Sequence, residues 1–168
     1  MKRIFSLRDL TLCGLCAAVL AVCTWISIPW VIPFTMQTFA VFLTLLLLGG
    51  KRGTVAITLY LLLGAVGLPV FSGFRGGLAA LVGPTGGYLW GFLLTALCYW
   101  ALESKPLLGL ILGHLACYAA GTAWYAYLGH IPVWSAIASC VLPFLLPDGC
   151  KLALALFLRR RLQHFIGE

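Results

Sequence analysis

Charged side chains are scarce in this 168-residue sequence. Only 9% of the residues are Asp, Glu, Lys or Arg, against about 25% in an average soluble domain. Hydrophobic residues make up 62%, and the mean hydropathy is +1.07. Most residues of a soluble fold of this size face water, so such a fold could not bury that much apolar surface. The scarcity of charge therefore excludes a soluble globular domain and predicts an integral membrane protein.

Four long stretches contain no charged residue at all. They cover residues 10–50, 53–74, 76–102 and 106–147. Because one span needs about 20 apolar residues, the first and last stretches each hold two spans, and the middle two hold one each. We expect a single all-α membrane domain over residues 1–168 with six transmembrane helices, of which the second and third are short. The expected spans are about 10–28, 36–48, 54–67, 88–102, 107–128 and 133–158.

Patterns for catalysis and for metal binding are also missing. The histidines His114, His130 and His164 are scattered without metal-ligand spacing, and no Ser-His-Asp set or carboxylate pair is present. The seven cysteines fall in or beside the predicted spans, where small apolar filler residues are the ordinary interpretation. The chain carries no phosphate-binding Gly-Lys-Ser/Thr motif. We therefore expect no enzyme, no metal and no cofactor.

The basic residues orient the predicted helices. If the N-terminus is cytoplasmic, nine of the eleven Lys and Arg residues lie on the cytoplasmic side, as the positive-inside rule favours. We expect a multi-pass protein of the cytoplasmic membrane with both termini cytoplasmic, and the net charge of +7 needs no nucleic-acid partner. The nine residues are Lys2, Arg3, Arg8, Lys51, Arg52, Lys105, Arg159, Arg160 and Arg161.

Asp148 and Lys151 are the acid and the base that fall inside a predicted span. They are three positions apart, so a helix places them on one face. A charge at membrane depth costs at least about 2.5 kcal/mol and usually faces a bundle interior or a wet cavity. We interpret the pair as part of a polar ligand site, and a structural ion pair that fixes the sixth span is the alternative. If a helical turn restarts at Pro147, Asp148 lies in its first turn.

Two loops on the outer side are candidates for ligand contact. The segment 83–88 reads Gly-Pro-Thr-Gly-Gly-Tyr, and its glycines allow backbone to approach a ligand closely, with Thr85 adding a hydroxyl and Tyr88 an aromatic face. A tight turn with close helix packing explains the glycines equally well. Arg75 lies in the preceding glycine-rich stretch. The first outer loop offers Phe34 as an apolar contact and Gln37 as a partner for amide-like groups.

Span 1 carries small residues four positions apart. Ala17 and Ala21 form one such pair, offset from Gly14 and Ala18. Small residues at this spacing make a flat stripe on which another helix packs closely. That helix belongs either to this chain or to a partner, and the spacing favours neither.

The motifs together resemble the BioY family of biotin transporters, the substrate-binding S components of energy-coupling-factor (ECF) transporters. The likeness runs from the first outer loop to span 6. The matching stretches are Pro-Phe-Thr-Met-Gln-Thr-Phe at 33–39, Gly-Lys-Arg-Gly at 50–53, Gly-Leu-Pro-Val-Phe-Ser-Gly at 67–73, Gly-Pro-Thr-Gly-Gly-Tyr at 83–88 with Gly-Phe at 91–92, and Asp148-x-x-Lys151.

The resemblance implies a six-helix S-component fold with a biotin site open to the outer face and with Asp148 and Lys151 as its polar residues. It also implies that Ala17 and Ala21 meet a transmembrane coupling protein that is driven by two cytoplasmic ATPases.

Biotin's chemistry suits these residues. Asp148 can accept from the ureido N–H groups, and Lys151 can donate to the ureido carbonyl. We expect the carboxylate to be held by the loop glycines such as Gly86, or by Thr85, Tyr88 or Arg75. The apolar part of biotin is expected against Phe34, Met36, Phe71 and Trp90. Two alternatives stay open, namely an S component for a different vitamin and a structural or assembly membrane protein without a ligand.

Overall fold

The computed structural model describes residues 6–166, with side chains as far as residue 162. Lys2 and Arg3, two of the residues used to orient the chain, lie outside the described residues, as does the side chain of His164. The elements are α1 (Leu7–Trp25), β1 (Ser27–Ile28), β2 (Phe34–Thr35), α2 (Gln37–Ala65), α3 (Leu78–Val82), α4 (Gly86–Ala101), α5 (Pro106–Gly129), α6 (Val133–Cys140) and α7 (Leu142–Ile166).

Helix α1 begins three residues earlier than the first charge-free run. The hydroxyl of Ser6 accepts from the Asp9 backbone N–H, and the Asp9 carboxylate accepts from the Ser6 N–H. This capping box satisfies backbone donors that the start of a helix leaves unpaired. The helix ends at Trp25, and a short antiparallel hairpin follows in which Ser27 pairs with Thr35.

Helix α2 is two helices joined at a sharp turn. Gly49 adopts φ 78° and ψ 177° inside it, a conformation open essentially to glycine alone. A Cβ at Gly53 would lie 3.2 Å from the Cα of Leu45, whereas eight residues of continuous helix span about 12 Å. The arms 37–48 and 50–65 therefore fold back on each other and correspond to the second and third expected spans.

Acidic side chains of α1 and of the connection between α4 and α5 hold the turn at Gly49. The Gly50 N–H donates to the Glu103 carboxylate at 2.8 Å. Asp9 of α1 forms an ion pair with Arg52 at 3.1 Å. Both acids therefore hold one end of the bundle together.

The first arm of α2 is the centre of the bundle. Every residue from 37 to 46 is buried, as expected of a helix that is apolar all round and surrounded by others. Helices α1, α4 and α7 all pack on α2, and α4 packs on α5. Helices α4 and α5 approach each other closely at Gly113, whose carbonyl accepts a hydrogen bond from the Thr95 hydroxyl at 3.0 Å.

Six helical segments of the described chain can be assigned to crossings. Four helices are long and apolar enough to cross a membrane, and α2 is one of them. Its two arms count separately, and the shorter α4 completes the six. The expected sixth span divides into α6 and α7, and α7 runs through Pro147 without restarting. The expectation that Asp148 lies in a first turn is therefore wrong, because α7 already begins at Leu142.

Candidate functional site

An open cavity lies at the end of the bundle that carries the β1–β2 hairpin and the glycine-rich segment 83–88, and its empty space, including the part that is open to solvent, is about 710 Å³. Residues from the first loop, the loop after α2, and helices α2 to α7 line it. They include Pro33, Gln37, Phe71, Arg75, Thr85, Tyr88, Phe92, His114, Tyr118, Phe144, Asp148 and Lys151.

Asp148 lies in the cavity wall and accepts three hydrogen bonds from side chains of the described chain. Lys151 Nζ donates to Oδ1 at 2.7 Å. The Tyr118 hydroxyl donates to Oδ2 at 2.5 Å, and His114 Nε2 lies 3.0 Å from the same oxygen. Asp148 is 4% exposed and Lys151 is 9% exposed. The two buried charges are thus paired and hydrogen-bonded, which is the condition for tolerating them away from water.

Helix spacing explains how the cluster is assembled. Asp148 and Lys151 share a face of α7 at i and i+3, and His114 and Tyr118 share a face of α5 at i and i+4. The His114 ring makes an edge contact with Phe42, with centroids 5.0 Å apart, and lies 4.4 Å from the Tyr118 ring. These packing contacts fix the imidazole against Asp148.

His114 and Tyr118 were not among the expected site residues. His114 lies in a long apolar run, and a histidine inside a span is a functional-site signal in its own right. Tyr118 is one of several tyrosines in the same run and gives no such signal. The missing information was the register between α5 and α7. Among the described residues, no group of three or more His, Cys, Asp and Glu is placed to hold a metal ion.

The rest of the cavity wall is largely apolar. Tyr88 is held by a hydrogen bond between its hydroxyl and Thr122 at 2.9 Å. Phe71, Phe92 and Phe144 are buried beside it. An apolar wall with a few convergent polar groups is the usual make-up of a small-molecule site.

Gln37 and Arg75 lie in the cavity wall in different settings. Gln37 is buried, and its Nε2 donates to the Tyr60 hydroxyl at 2.9 Å. That hydroxyl donates in turn to the Val70 carbonyl at 3.1 Å. Arg75 is exposed, and its Nε donates to the Ser72 carbonyl at 3.0 Å. Gln37 therefore has its carbonyl oxygen to offer, and Arg75 places a positive charge at the mouth.

Four expected site residues do not line the cavity, namely Phe34, Met36, Gly86 and Trp90. Trp90 is 47% exposed, because the lining positions on this part of the chain are 85, 88, 89 and 92, which share the other face of the helix. Phe34 lies one layer behind, stacked on Phe144 with centroids 4.0 Å apart. Gly86 lets the Leu81 carbonyl approach closely, so close packing explains this glycine.

Ala17 and Ala21 are buried inside the chain. They are 1% and 7% exposed and belong to the main core, where α1 packs on α2. The internal-packing alternative therefore accounts for both alanines, and a partner could reach them only if α1 moved. On the offset stripe Ala18 is exposed, and a Cβ at Gly14 would meet no atom within 4 Å.

Comparisons with known proteins agree over almost the full length. The chain matches the BioY family over residues 1–168. It is 42% identical over 169 residues to the biotin transporter BioY of Thermotoga maritima, covering 96% of this chain and 99% of that protein. It is 37% identical over 158 residues to the probable biotin transporter BioY of Pyrococcus horikoshii, covering 93% and 96%.

A solved structure is similar as well. The crystal structure of the S-component for biotin from an ECF-type ABC transporter superposes with a TM-score of 0.86 at 27% sequence identity. The match covers 94% of this chain and 91% of that one.

Proposed function

This chain belongs to the BioY family, and from that membership and from the cavity we propose that it binds biotin as the substrate-specific component of an ECF-type transporter. The family match confirms the resemblance to the BioY family that the sequence motifs indicated. The similar solved structure confirms the predicted S-component fold. The protein is a membrane-embedded transporter component and not an enzyme.

The observation that carries the proposal is the buried Asp148–Lys151 pair in the wall of an otherwise apolar cavity. The ureido ring of biotin has N–H donors beside a carbonyl acceptor. Asp148 accepts from a ureido N–H, and Lys151 donates to the carbonyl. Recognition of this kind is selective, because a ligand without the matching groups leaves buried polar atoms unpaired.

The remainder of biotin fits the remainder of the cavity. The apolar bicycle and tail pack against Phe71, Tyr88 and Phe144, which line it. The carboxylate lies toward the mouth, where Arg75 and Thr85 supply a positive charge and a hydroxyl. Biotin methyl ester tests this assignment, since it lacks the negative charge and should bind more weakly than biotin.

Isothermal titration of the detergent-purified protein with biotin tests the site. We expect Asp148→Asn and Lys151→Ala each to weaken binding by at least about tenfold, because each leaves a buried polar partner unpaired. Asp9→Asn and Lys105→Ala are matched controls at the other end of the bundle and should bind like the wild type. Unchanged affinity in both site variants would overturn the site assignment.

Competition experiments separate the alternatives. Displacement of labelled biotin by thiamine or riboflavin would indicate an S component for a different vitamin. An absence of saturable biotin binding by the wild type would leave a structural or assembly protein in which Asp148 and Lys151 only stabilise the bundle.

The partners follow from the same proposal. We place the protein in the cytoplasmic membrane with both termini in the cytoplasm. A coupling protein and two ATPases assemble with it there and supply the energy.

The coupling protein packs on the exposed face of α1, which carries Gly14 and Ala18. Copurification from native membranes tests this, and Ala18→Trp should reduce the recovered coupling protein while leaving biotin affinity intact. Recovery equal to the wild type would contradict this docking face.

A further inference from the structure

The carboxylate of Asp148 is nearly fully committed before any ligand arrives. A carboxylate has about four acceptor positions, two on each oxygen. Oδ2 accepts from both Tyr118 and His114, and Oδ1 accepts from Lys151. One acceptor position therefore remains, on Oδ1. Lys151 has three donors, and Asp148 takes one of them.

The two donors on Oδ2 are held in place by packing. The His114 ring lies between Phe42 and the Tyr118 ring, and Phe42 is fully buried. His114 must carry its hydrogen on Nε2, because an ionised carboxylate only accepts. The bonds to Oδ2 thus come from two groups whose positions are set by the fold, not by a ligand.

These bonds cross a gap between helices. A second, open cavity lies beside the cluster and is lined by apolar side chains of α5 and α7, including Leu110, Ile111, Leu145 and Leu152. His114, Tyr118 and Asp148 also line it. The two hydrogen bonds therefore span a place where the helices are not tightly packed. If His114 and Tyr118 served only to fill space, apolar side chains would do so equally well.

We propose that His114 and Tyr118 are positioning residues that set the ligand specificity of the site. By occupying Oδ2, they leave Oδ1 and Lys151 Nζ as the recognition edge, with one acceptor beside two donors. That edge matches an N–H next to a carbonyl, as in a cyclic urea or a lactam. It rejects a cyclic guanidine, whose exocyclic nitrogen carries hydrogens that would face the Lys151 donors. This proposal rests on the proposed biotin function and adds to it the groups that decide which ring is accepted.

Removing a donor from Oδ2 should relax this selectivity in a defined way. In Tyr118→Phe the carboxylate gains a free acceptor position and loses one of its supports. Biotin should then bind on the order of tenfold more weakly, because one hydrogen bond to a charged group is lost. The preference for biotin over 2-iminobiotin, its cyclic guanidine analogue, should fall by a similar factor. The preference for biotin over desthiobiotin, which keeps the urea, should stay within about twofold.

Two substitutions at His114 separate positioning from space filling. His114→Gln keeps a donor that can reach Oδ2, and it should retain biotin affinity to within about threefold. His114→Leu has no donor and should behave like Tyr118→Phe, with a loss on the order of tenfold. Tyr127→Phe is the control, because Tyr127 lies on the exposed surface of the same helix. Its affinities for biotin, 2-iminobiotin and desthiobiotin should equal those of the wild type.

The experiment is a set of equilibrium titrations with the three ligands on monodisperse, detergent-purified protein, with the folded fraction fixed by size-exclusion chromatography. If folded Tyr118→Phe and His114→Leu keep the wild-type affinity and both wild-type ratios, the two residues are structural and the inference fails while the proposed function stands. If His114→Gln is as weak as His114→Leu, positioning by a donor is excluded. If the wild type binds no biotin, the proposed function itself fails, and this inference with it.

Discussion

Trp25, the last residue of α1, donates its indole N–H to the carbonyl of Pro69 at 2.8 Å. The same ring stacks on Phe74 with centroids 5.2 Å apart. Pro69 and Phe74 lie in the loop after α2, which also contributes Phe71 and Arg75 to the cavity wall. The end of α1 therefore holds the loop that closes one side of the candidate site.

Trp25→Leu should loosen this loop without altering the groups that contact the ligand. Loss of the hydrogen bond and of the stacking should raise the biotin dissociation rate by up to roughly thirtyfold, because two contacts of about 1 kcal/mol each sum to about 2 kcal/mol. The association rate should change less. The measurement is displacement of labelled biotin followed in time, together with hydrogen exchange at residues 68–76.

Trp100→Leu is the matched control for Trp25→Leu. Trp100 is a half-exposed tryptophan on α4 at the opposite end of that helix from the cavity. Its substitution should leave the dissociation rate unchanged. Equal dissociation rates for Trp25→Leu and the wild type would show that the loop is held by other contacts.

The turn inside α2 leads to a prediction about stability. Gly49→Ala should destabilise the protein by about 1–3 kcal/mol, because φ 78° with ψ 177° is a strained conformation for any residue with a side chain. Its Cβ would also lie 2.9 Å from Oε1 of Glu103. Thermal unfolding in detergent measures the effect.

Gly14→Ala serves as the comparison for Gly49→Ala. Gly14 is helical, and a Cβ there meets no atom within 4 Å. Alanine should therefore leave the stability unchanged or raise it by up to about 1 kcal/mol. If both substitutions had the same effect on the unfolding temperature, the backbone conformation at Gly49 would not be strained.

The sequence was sufficient to predict those features of the structure that depend on a single segment of the chain. The charge-free runs located the helices, and the expected boundary between the second span, 36–48, and the third, 54–67, contains Gly49, where the structure has its turn. Asp148 and Lys151 stood out because they are charges in an apolar run, and their spacing of three predicted the contact at 2.7 Å.

Features that depend on how two helices meet were beyond the sequence. His114 and Tyr118 reach Asp148 from positions 34 and 30 residues earlier in the chain, and nothing local fixes that register. Trp90 was assigned to the wrong side of α4, because a helix that is apolar on every side gives no sign of which face is inward. The two small-residue stripes of α1 posed the same problem, since both could pack closely.

The packing of Gly121 against Tyr88 gives the last prediction. A Cβ at this position would overlap the Tyr88 ring, which lines the cavity and is hydrogen-bonded to Thr122. Gly121→Ala should therefore push the ring toward the cavity and break the bond to Thr122. We expect a loss of stability of about 1–3 kcal/mol, because the added methyl group overpacks this contact. Biotin affinity should fall roughly tenfold, because the rigid Tyr88 ring passes the displacement on to the cavity.

Gly129→Ala, on the same helix, separates this effect from a general change in helix propensity. Its Cβ would make only ordinary contacts, the nearest at 3.6 Å from Ile131, so affinity should stay at the wild-type value. Tyr88→Phe supplies a second test, because it removes the bond to Thr122 without moving the ring. If Gly121→Ala weakens biotin binding far more than Tyr88→Phe does, the position of the ring matters more than its hydroxyl. Wild-type affinity in Gly121→Ala would show instead that the cavity wall yields, and that Tyr88 does not shape the ligand site.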